Sequence, residues 1–537
     1  MKHTPWEQTE DEDDDEYEDD SPPPELARQK KGSVENRHNH SPLRMKDVSP
    51  GFFPPILVDN DPAKPMYVQL YDWFRSAIIG GRLRPGQKVP SSRQLAAELK
   101  VSRITVLSAF QQLHAEGYLQ GSIGSGTYVA KSIPDHAVKL TLGDALRRLP
   151  SDAEHGPRRV SKLGTKFLSA PAIPRGFRPF QVGLPALDRF PRTIWSRLLI
   201  RHSRQTKKEL MAYGDPMGRP ACREAVAEYL SVVRGVRCEA AQIMIVTGSQ
   251  QALDIAARVL LDPGDPVWLE EPCYPGAVRA FAAAGARLIP VRVDQEGLDV
   301  SRGIKRCAGA RVAVVTPSHQ FPLGMTMSAT RRVLLLDWAT RNGSWIVEDD
   351  YDNEFRFGVR SIASLQGLDT DERVIYVGTF SKVVFPSLRI GYLIIPNDLV
   401  PAFWRIRETS DIFPPPLHQE VLTDFIREGH LERHVRRMRT LYMERHDTLV
   451  AEIRKRLGPS FEVVTANAGT YLVMLLPEDF QDTVVAENAT QSDISTVPLS
   501  ICYQEEPRKQ GLILGYAGVN RKQIQDGMSK LAKILKA

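Results

Sequence analysis

Cysteine is scarce in this chain: five residues in 537, at Cys222, Cys238, Cys273, Cys307 and Cys502, with no Cys-x-x-Cys pair. That scatter excludes a disulfide framework and a zinc site, and it fits a reducing compartment. Long apolar runs are also missing, so no stretch reads as a membrane span. The first residues are acidic where a secretory signal is basic and then apolar, and the expected location is the cytoplasm.

Charge is unevenly spread. Residues 1–20 hold eleven Asp or Glu against Lys2 alone, so a net charge of +5 conceals a basic body of about +15. The length suggests two or three domains, with ample core for a large α/β unit.

The acidic run Glu7 to Asp20 leads into Pro22-Pro-Pro24 and a polar stretch reaching Pro50. Such composition buries too little surface to offset ordering entropy, and residues 1–63 read as a disordered tail. His38 and His40 belong to it and have no ligand cluster around them.

From Pro65 the pattern changes. Tyr67, Leu70, Phe74 and Ile78 recur at helical spacing, and Gly80-Gly81 stops the helix. Leu83-Arg-Pro-Gly86 is a turn, Ser91 and Gln94 have capping-box spacing, and Leu95, Ala96 and Leu99 fall inside a short helix. Ser102 caps a further helix with Val106, Phe110 and Leu113 inward. Two short helices across a tight turn are a helix-turn-helix, and Gly117 to Val129 reads as two β segments around a Gly-rich tip, a wing. Nine Lys or Arg against three Asp or Glu between Lys64 and Lys131 suit phosphate contact.

The order Arg-Pro-Gly, Pro-Ser-Ser-Arg, Val-Ser-Arg, Thr-Val, Gly-x-Gly-Thr is similar to the GntR winged-helix family over residues 64–131. The resemblance implies that Arg93 and Ser102 grip phosphates and that Arg103 and Thr105 lie nearest base edges. It also implies that Gly124 and Gly126 let the wing approach the minor groove of operator DNA.

Residues 132–178 alternate polar, Pro and basic clusters and read as a linker, with one short helix near Leu140 to Leu149. From there to residue 537 strands and helices alternate. Ile243 to Thr247, Val267 to Leu269 and Arg311 to Thr316 are apolar strands, and Ala252 to Leu261 is a helix. Backbone N–H groups at that helix start, with Ser249 and Gln250, make a phosphate cradle.

The stretch Val374 to Gly391 carries the central lysine. Val374-Ile-Tyr-Val377 reads as a buried strand, so Lys382 emerges beyond its carboxyl end, where open α/β sheets place ligands. Flanked by Thr379, Ser381 and Arg389, it has what a Schiff base to a phosphorylated aldehyde requires. Trp345-Ile-Val347 is another strand, ending in Glu348-Asp349-Asp350-Tyr351. An aspartate at the same sheet edge can pair with a protonated pyridine nitrogen, worth up to about 4 kcal/mol at an effective dielectric near 20.

Asp-x-Tyr, then Thr-x-Ser-Lys and a later Arg, resembles the fold-type I aminotransferases that use pyridoxal 5'-phosphate (PLP). The likeness covers roughly residues 180 to 537 and implies an α/β major domain with a mostly parallel sheet and helices on both faces, followed by a small α+β subdomain. It implies PLP on Lys382 as an aldimine, Asp349 at the ring nitrogen, Tyr351 at the ring oxygen and Tyr274 stacked on the ring. Ser249, Gln250, Thr379 and Arg389 fall at the phosphate.

Winged helix and aminotransferase-like domain together resemble the MocR/GabR family of bacterial transcriptional regulators. That likeness implies a homodimer controlling genes through PLP or an amine or amino-acid effector. An active aminotransferase with a DNA-binding arm, and a DNA-binding module that has lost its cofactor, are the rival readings.

Two departures from ordinary aminotransferases bear on turnover. Pro317-Ser-His-Gln-Phe-Pro-Leu-Gly324 has no Asn where theirs helps hold the ring oxygen, leaving His319 or Gln320 as substitutes. The segment Gly511 to Ala517 has no arginine for a substrate carboxylate, and Arg508 and Arg279 lie off the pattern. A poorly anchored amino acid is poorly aligned for Cα–H abstraction, which argues for sensing over turnover.

Overall fold

The computed structural model describes residues 56, 64–122, 126–132, 160–168, 176–204, 208–357, 363–464 and 468–536. The expected acidic tail, all but residue 56 of it up to 63, lies outside them, as do the expected helix near Leu140 to Leu149 and Gly124. Contacts group the chain into two compact units, Met1–Arg158 and Arg159–Ala537, a division that falls within the segment expected as a linker.

In the first unit, α1 (Met66–Ile79) buries Leu70, Phe74, Ala77 and Ile78, while Tyr67 in its first turn is exposed. The turn that follows delivers β1 (Lys88–Val89), a strand too short to leave a period in the sequence. Ser91 caps α2 (Ser92–Leu99) by accepting from the Gln94 N–H at 3.2 Å. The Gln94 side chain donates instead to Glu98, so only one half of the capping box forms. Lys100, at φ 54°, turns the chain into α3 (Arg103–Ala115). Val106, Ala109, Phe110 and Leu113 face α1, where Phe110 meets Phe74 edge-on at 5.4 Å. β2 (Leu119–Ser122) and β3 (Gly126–Val129) pair antiparallel, and β1 joins on the far side of β3.

In the second unit, a short helix Lys162–Leu168 occupies part of the expected linker. Eight strands then build one sheet: β4 (Ile243–Val246), β5 (Pro266–Glu271), β6 (Arg287–Asp294), β7 (Gly297–Leu298), β8 (Val312–Val315), β9 (Trp345–Asp350), β10 (Val374–Thr379) and β11 (Gly391–Ile394). Their order is β4-β11-β10-β9-β8-β5-β6-β7. The pairs from β10 to β6 are parallel; β11 runs antiparallel to both its neighbours and β7 antiparallel to β6.

The strands are apolar along most of their length because both faces are covered. Met244, Val246, Ile375 and Val377 pack with Leu253 and Ala256 of the helix Ser249–Leu260. Ile243, Ile245 and Tyr376 pack with Val226 and Leu230 of the helix Pro220–Arg234. A second, antiparallel sheet comprises β12 (Val463–Val464), β13 (Tyr471–Leu475), β14 (Val497–Pro498) and β15 (Gly511–Gly515), in the order β12-β13-β15-β14. The helices His430–Leu457 and Arg521–Ile534 pack together against it. The fold class expected from the sequence is the one observed.

Candidate functional site

β9 and β10 are parallel neighbours, with Val377 opposite Asp349 and Gly378 opposite Asp350. The three carboxylates expected just past β9 are its last three residues. Alternation along the strand then separates them. Glu348 accepts from the N–H groups of Leu365 and Gln366 at 2.9 and 3.0 Å. Asp350 is consumed by the buried Arg234 guanidinium, whose Nε donates to it at 2.8 Å, and by the Tyr376 hydroxyl. Asp349 points the other way and lines a cavity of about 190 Å³. It is 5% exposed, and its Oδ1 has no hydrogen-bond partner among the described residues. Burial first, and then the neighbouring Asp350 carboxyl, raises its pKa to about 7, against the pull of Lys382.

Lys382 follows β10 and enters the same cavity, half-buried. Its Nζ donates to the Gly183 carbonyl at 3.2 Å. Burial lowers its pKa and Arg389 adds to that, while Asp352 and Asp349 oppose it. A lysine so placed is biased toward the neutral, nucleophilic amine.

Ser249, Tyr274 and Tyr351 complete the expected residues that line the cavity. Gln250, Thr379 and Arg389 stand outside its lining. Gln250 donates to the Gly276 carbonyl at 3.0 Å, behind Tyr274. The Thr379 hydroxyl accepts from the Ser381 N–H at 3.2 Å and so shapes the lysine turn. Arg389, held at φ 53°, lays its guanidinium beside Gly248, 3.4 Å from where a Cβ there would stand. Gly248, at φ 121°, immediately precedes the helix Ser249–Leu260, so Arg389 adds positive charge at that helix's N-terminus.

The Asn substitutes expected from sequence do not reach the cavity. Gln320 donates its amide to the carbonyls of Pro272 and Phe321 at 2.8 and 2.6 Å, and Phe321 takes the lining position instead. His319 is paired through Nδ1 with Asp352 at 2.8 Å. Its carbonyl accepts from the Tyr351 hydroxyl at 3.0 Å, and that hydroxyl also meets Tyr471 at 2.8 Å. His319 therefore positions Tyr351. Arg279 is half-buried and Arg508 exposed, and neither lines the cavity.

The sequence reading missed several residues at this site. Tyr471 and Val497 of the second sheet, with Thr470 just before β13 and Ile501 in the short 3-10 helix Leu499–Cys502, line the cavity more than 80 residues beyond Lys382 and without a motif of their own. Glu270, 2% exposed at the end of β5, has its pKa raised to about 7 by burial. One of its oxygens accepts from the Thr316 hydroxyl at 2.6 Å and the other has no partner among the described residues. Gly183, whose carbonyl accepts from Lys382, stands in the segment Gln181-Val-Gly-Leu-Pro185, where a glycine and a proline close together mark a turn.

On the first unit, Arg93 and Arg103 are exposed on α2 and at the start of α3. Ser102 accepts from the Thr105 N–H at 3.1 Å, and the two hydroxyls meet at 2.8 Å, so the polar groups of both are engaged in the cap. Ile104 between them is 75% exposed. It escaped the sequence reading because only the inward positions of α3 have a period. Gly126 takes φ 112°, with the Lys88 side chain 3.0 Å from where a Cβ would be.

Comparison with known proteins adds the following. Residues 187–531 match the family described as aminotransferase class I and II, and residues 66–129 match the bacterial regulatory proteins, gntR family. The chain is 39% identical to the "Probable rhizopine catabolism regulatory protein MocR" of Rhizobium meliloti, covering 89% of this chain and 95% of that protein. It is 34% identical to the "Uncharacterized HTH-type transcriptional regulator YdeL" of Bacillus subtilis (strain 168), covering 87% and 96%. Among solved structures, the kynurenine aminotransferase of Pyrococcus horikoshii in complex with PMP and kynurenine is similar at a TM-score of 0.62 and 27% identity, over 74% of this chain and 98% of that one.

Proposed function

The chain belongs to the aminotransferase class I and II family and carries a gntR-type regulatory domain, and on that premise we propose that it is a DNA-binding transcriptional regulator controlled through PLP. Residues 64–131 bind operator DNA, 132–178 link, and 179–537 form the PLP-binding and dimerising domain. The homodimer presents two winged helices to a two-fold operator. The observation that carries the cofactor reading is the meeting of Lys382, Asp349 and Tyr351 on one cavity.

The residues fit the group. The partnerless Oδ1 of Asp349 offers a counter-charge for a protonated ring nitrogen. Tyr351, whose hydroxyl meets the His319 carbonyl and Tyr471, would hold the ring oxygen. Tyr274, which lines the cavity, would cover the ring face. Ser249 and the helix N-terminus, with Arg389 beside Gly248, hold the phosphate. Gln250 and Thr379 brace Tyr274 and the lysine turn. Bound there, PLP supplies an aldehyde carbon reactive toward amines and an electron-withdrawing ring. On the DNA side, Arg93 and Ser102 meet phosphates, Arg103 and Thr105 approach base edges, and Gly124 and Gly126 bring the wing close.

A ligand shifts a regulator only by its differential affinity for two states, so PLP or an amine must favour one dimer geometry over another. The test is a gel shift of the full chain on its own upstream region, with and without PLP and amines, alongside a visible absorbance band that Lys382→Ala abolishes. Sustained amino transfer to an oxo acid at ordinary enzymatic rates would overturn the reading in favour of an enzyme.

A further inference from the structure

The cavity distributes charge unequally. Its cationic end is the helix N-terminus at Ser249, with Arg389 beside it. Val182, Thr470, Tyr471, Val497 and Ile501 give the lining a neutral wall. Among the described residues Lys382 is the only cation in the lining, and it is the residue assigned to the cofactor. β15, where the sequence lacks an arginine, places Leu512, Ile513 and Leu514 in the core.

Carboxyl groups crowd the same space. Asp349, Asp352 and Glu270 are 5%, 1% and 2% exposed, and each keeps one oxygen without a partner among the described residues. Asp349, assigned to the ring nitrogen, lies in the lining itself; Glu270 accepts from the Thr316 hydroxyl of the lining at 2.6 Å, and Asp352 pairs with His319, whose carbonyl accepts from the lining Tyr351. A carboxylate entering here must shed its water, finds no guanidinium or ammonium among the described residues of the neutral wall, and stands near acidic groups.

We propose that the effector compartment accepts a primary amine carrying no carboxylate, its neutral body against Val182, Tyr471, Val497 and Ile501, and that it discriminates against the corresponding amino acids. The inference rests on the PLP reading of the site and names the chemical class of its ligand. The missing carboxylate anchor is then a specificity device. Tyr471 couples that wall to the cofactor residues, because its hydroxyl meets that of Tyr351 at 2.8 Å.

The experiment uses full-length, PLP-loaded protein and two matched pairs, tyramine against L-tyrosine and 3-methylbutylamine against L-leucine. Each probe is titrated while the PLP absorbance band and the thermal midpoint are followed. The expected result is a half-maximal change at a concentration at least tenfold lower for each amine than for its amino acid. Ile501→Arg, which adds a cation at a half-buried wall position, should narrow that ratio by about tenfold, read on the fraction of protein that shows the PLP band. Equal or tighter response to the amino acids, or no response to either member of both pairs in a PLP-loaded protein, overturns the inference alone. Failure of wild-type protein to show any Lys382-dependent band overturns the cofactor reading, and this inference with it.

Discussion

Lys382 donates from Nζ to the carbonyl of Gly183 at 3.2 Å, joining residues 199 positions apart. Gly183 sits at φ 80°, and a Cβ there would stand 2.5 Å from the lysine nitrogen. Glycine at this position keeps room for the amine and tolerates a backbone shape that side chains resist. Gly183→Ala should therefore weaken PLP loading by roughly 5- to 150-fold, as about 1–3 kcal/mol of strain implies. Titration of the visible band measures it, and an unchanged PLP affinity would show that the contact does not matter.

The two aspartates at the end of β9 should respond differently to the same change. Asp350 is locked to Arg234, with side chains 3% and 2% exposed. Breaking that pair with Arg234→Ala leaves a buried charge unmatched and should cost about 3–5 kcal/mol of stability. Asp350→Asn should likewise act mainly on stability, whereas Asp349→Asn should act mainly on PLP affinity. Denaturant unfolding, run beside PLP titration, checks the split; loss of PLP affinity in the Asp350 variant with stability intact would contradict it.

The raised carboxyl groups set a pH dependence. Asp349 has a folded pKa of about 7, against about 3.9 when unfolded, so the folded protein holds this proton more tightly. Its stabilising contribution is fully present below about pH 4 and is lost as pH rises through 7. Glu270, Glu348 and Glu354, also near 7, add in the same direction. Cofactor-free protein should thus show a falling thermal midpoint from these groups between pH 4 and pH 8. Asp349→Asn should reduce that fall by about 2 °C. A fall of the same size in the variant would remove Asp349 from the account.

On the first unit, Arg103→Ala should abolish operator selectivity and leave PLP loading intact, with a loss of about 1–3 kcal/mol of discrimination. Beside it Ile104 is exposed, and we propose that it meets a thymine methyl group. Ile104→Ala should then bind a selected operator and its deoxyuridine-substituted copy equally, while wild type prefers thymine. Quantitative gel shifts at fixed salt read both outcomes, and wild-type indifference to the methyl group would dismiss the Ile104 contact.

Much of the architecture was written locally. Ser91 and Ser102 cap the helices their positions foretold, and the runs Ile243 to Val246 and Val374 to Val377 are strands because their apolar length needs cover on both faces. Less visible were β1, too short for a period, and half of the Ser91–Gln94 box, lost when Gln94 turned to Glu98.

By itself, the sequence determined the order of elements, the helix-turn-helix with its wing, and a lysine and an aspartate at the carboxyl ends of buried strands. Tertiary structure decided that Asp349 faces the cavity and Asp350 faces Arg234, because alternation along a strand separates neighbours without saying which side holds the site. It also decided that one wall is neutral, since Tyr471 and Val497 arrive from a second sheet, and Ile501 from the 3-10 helix after β14, whose placement against Lys382 no local signal encodes.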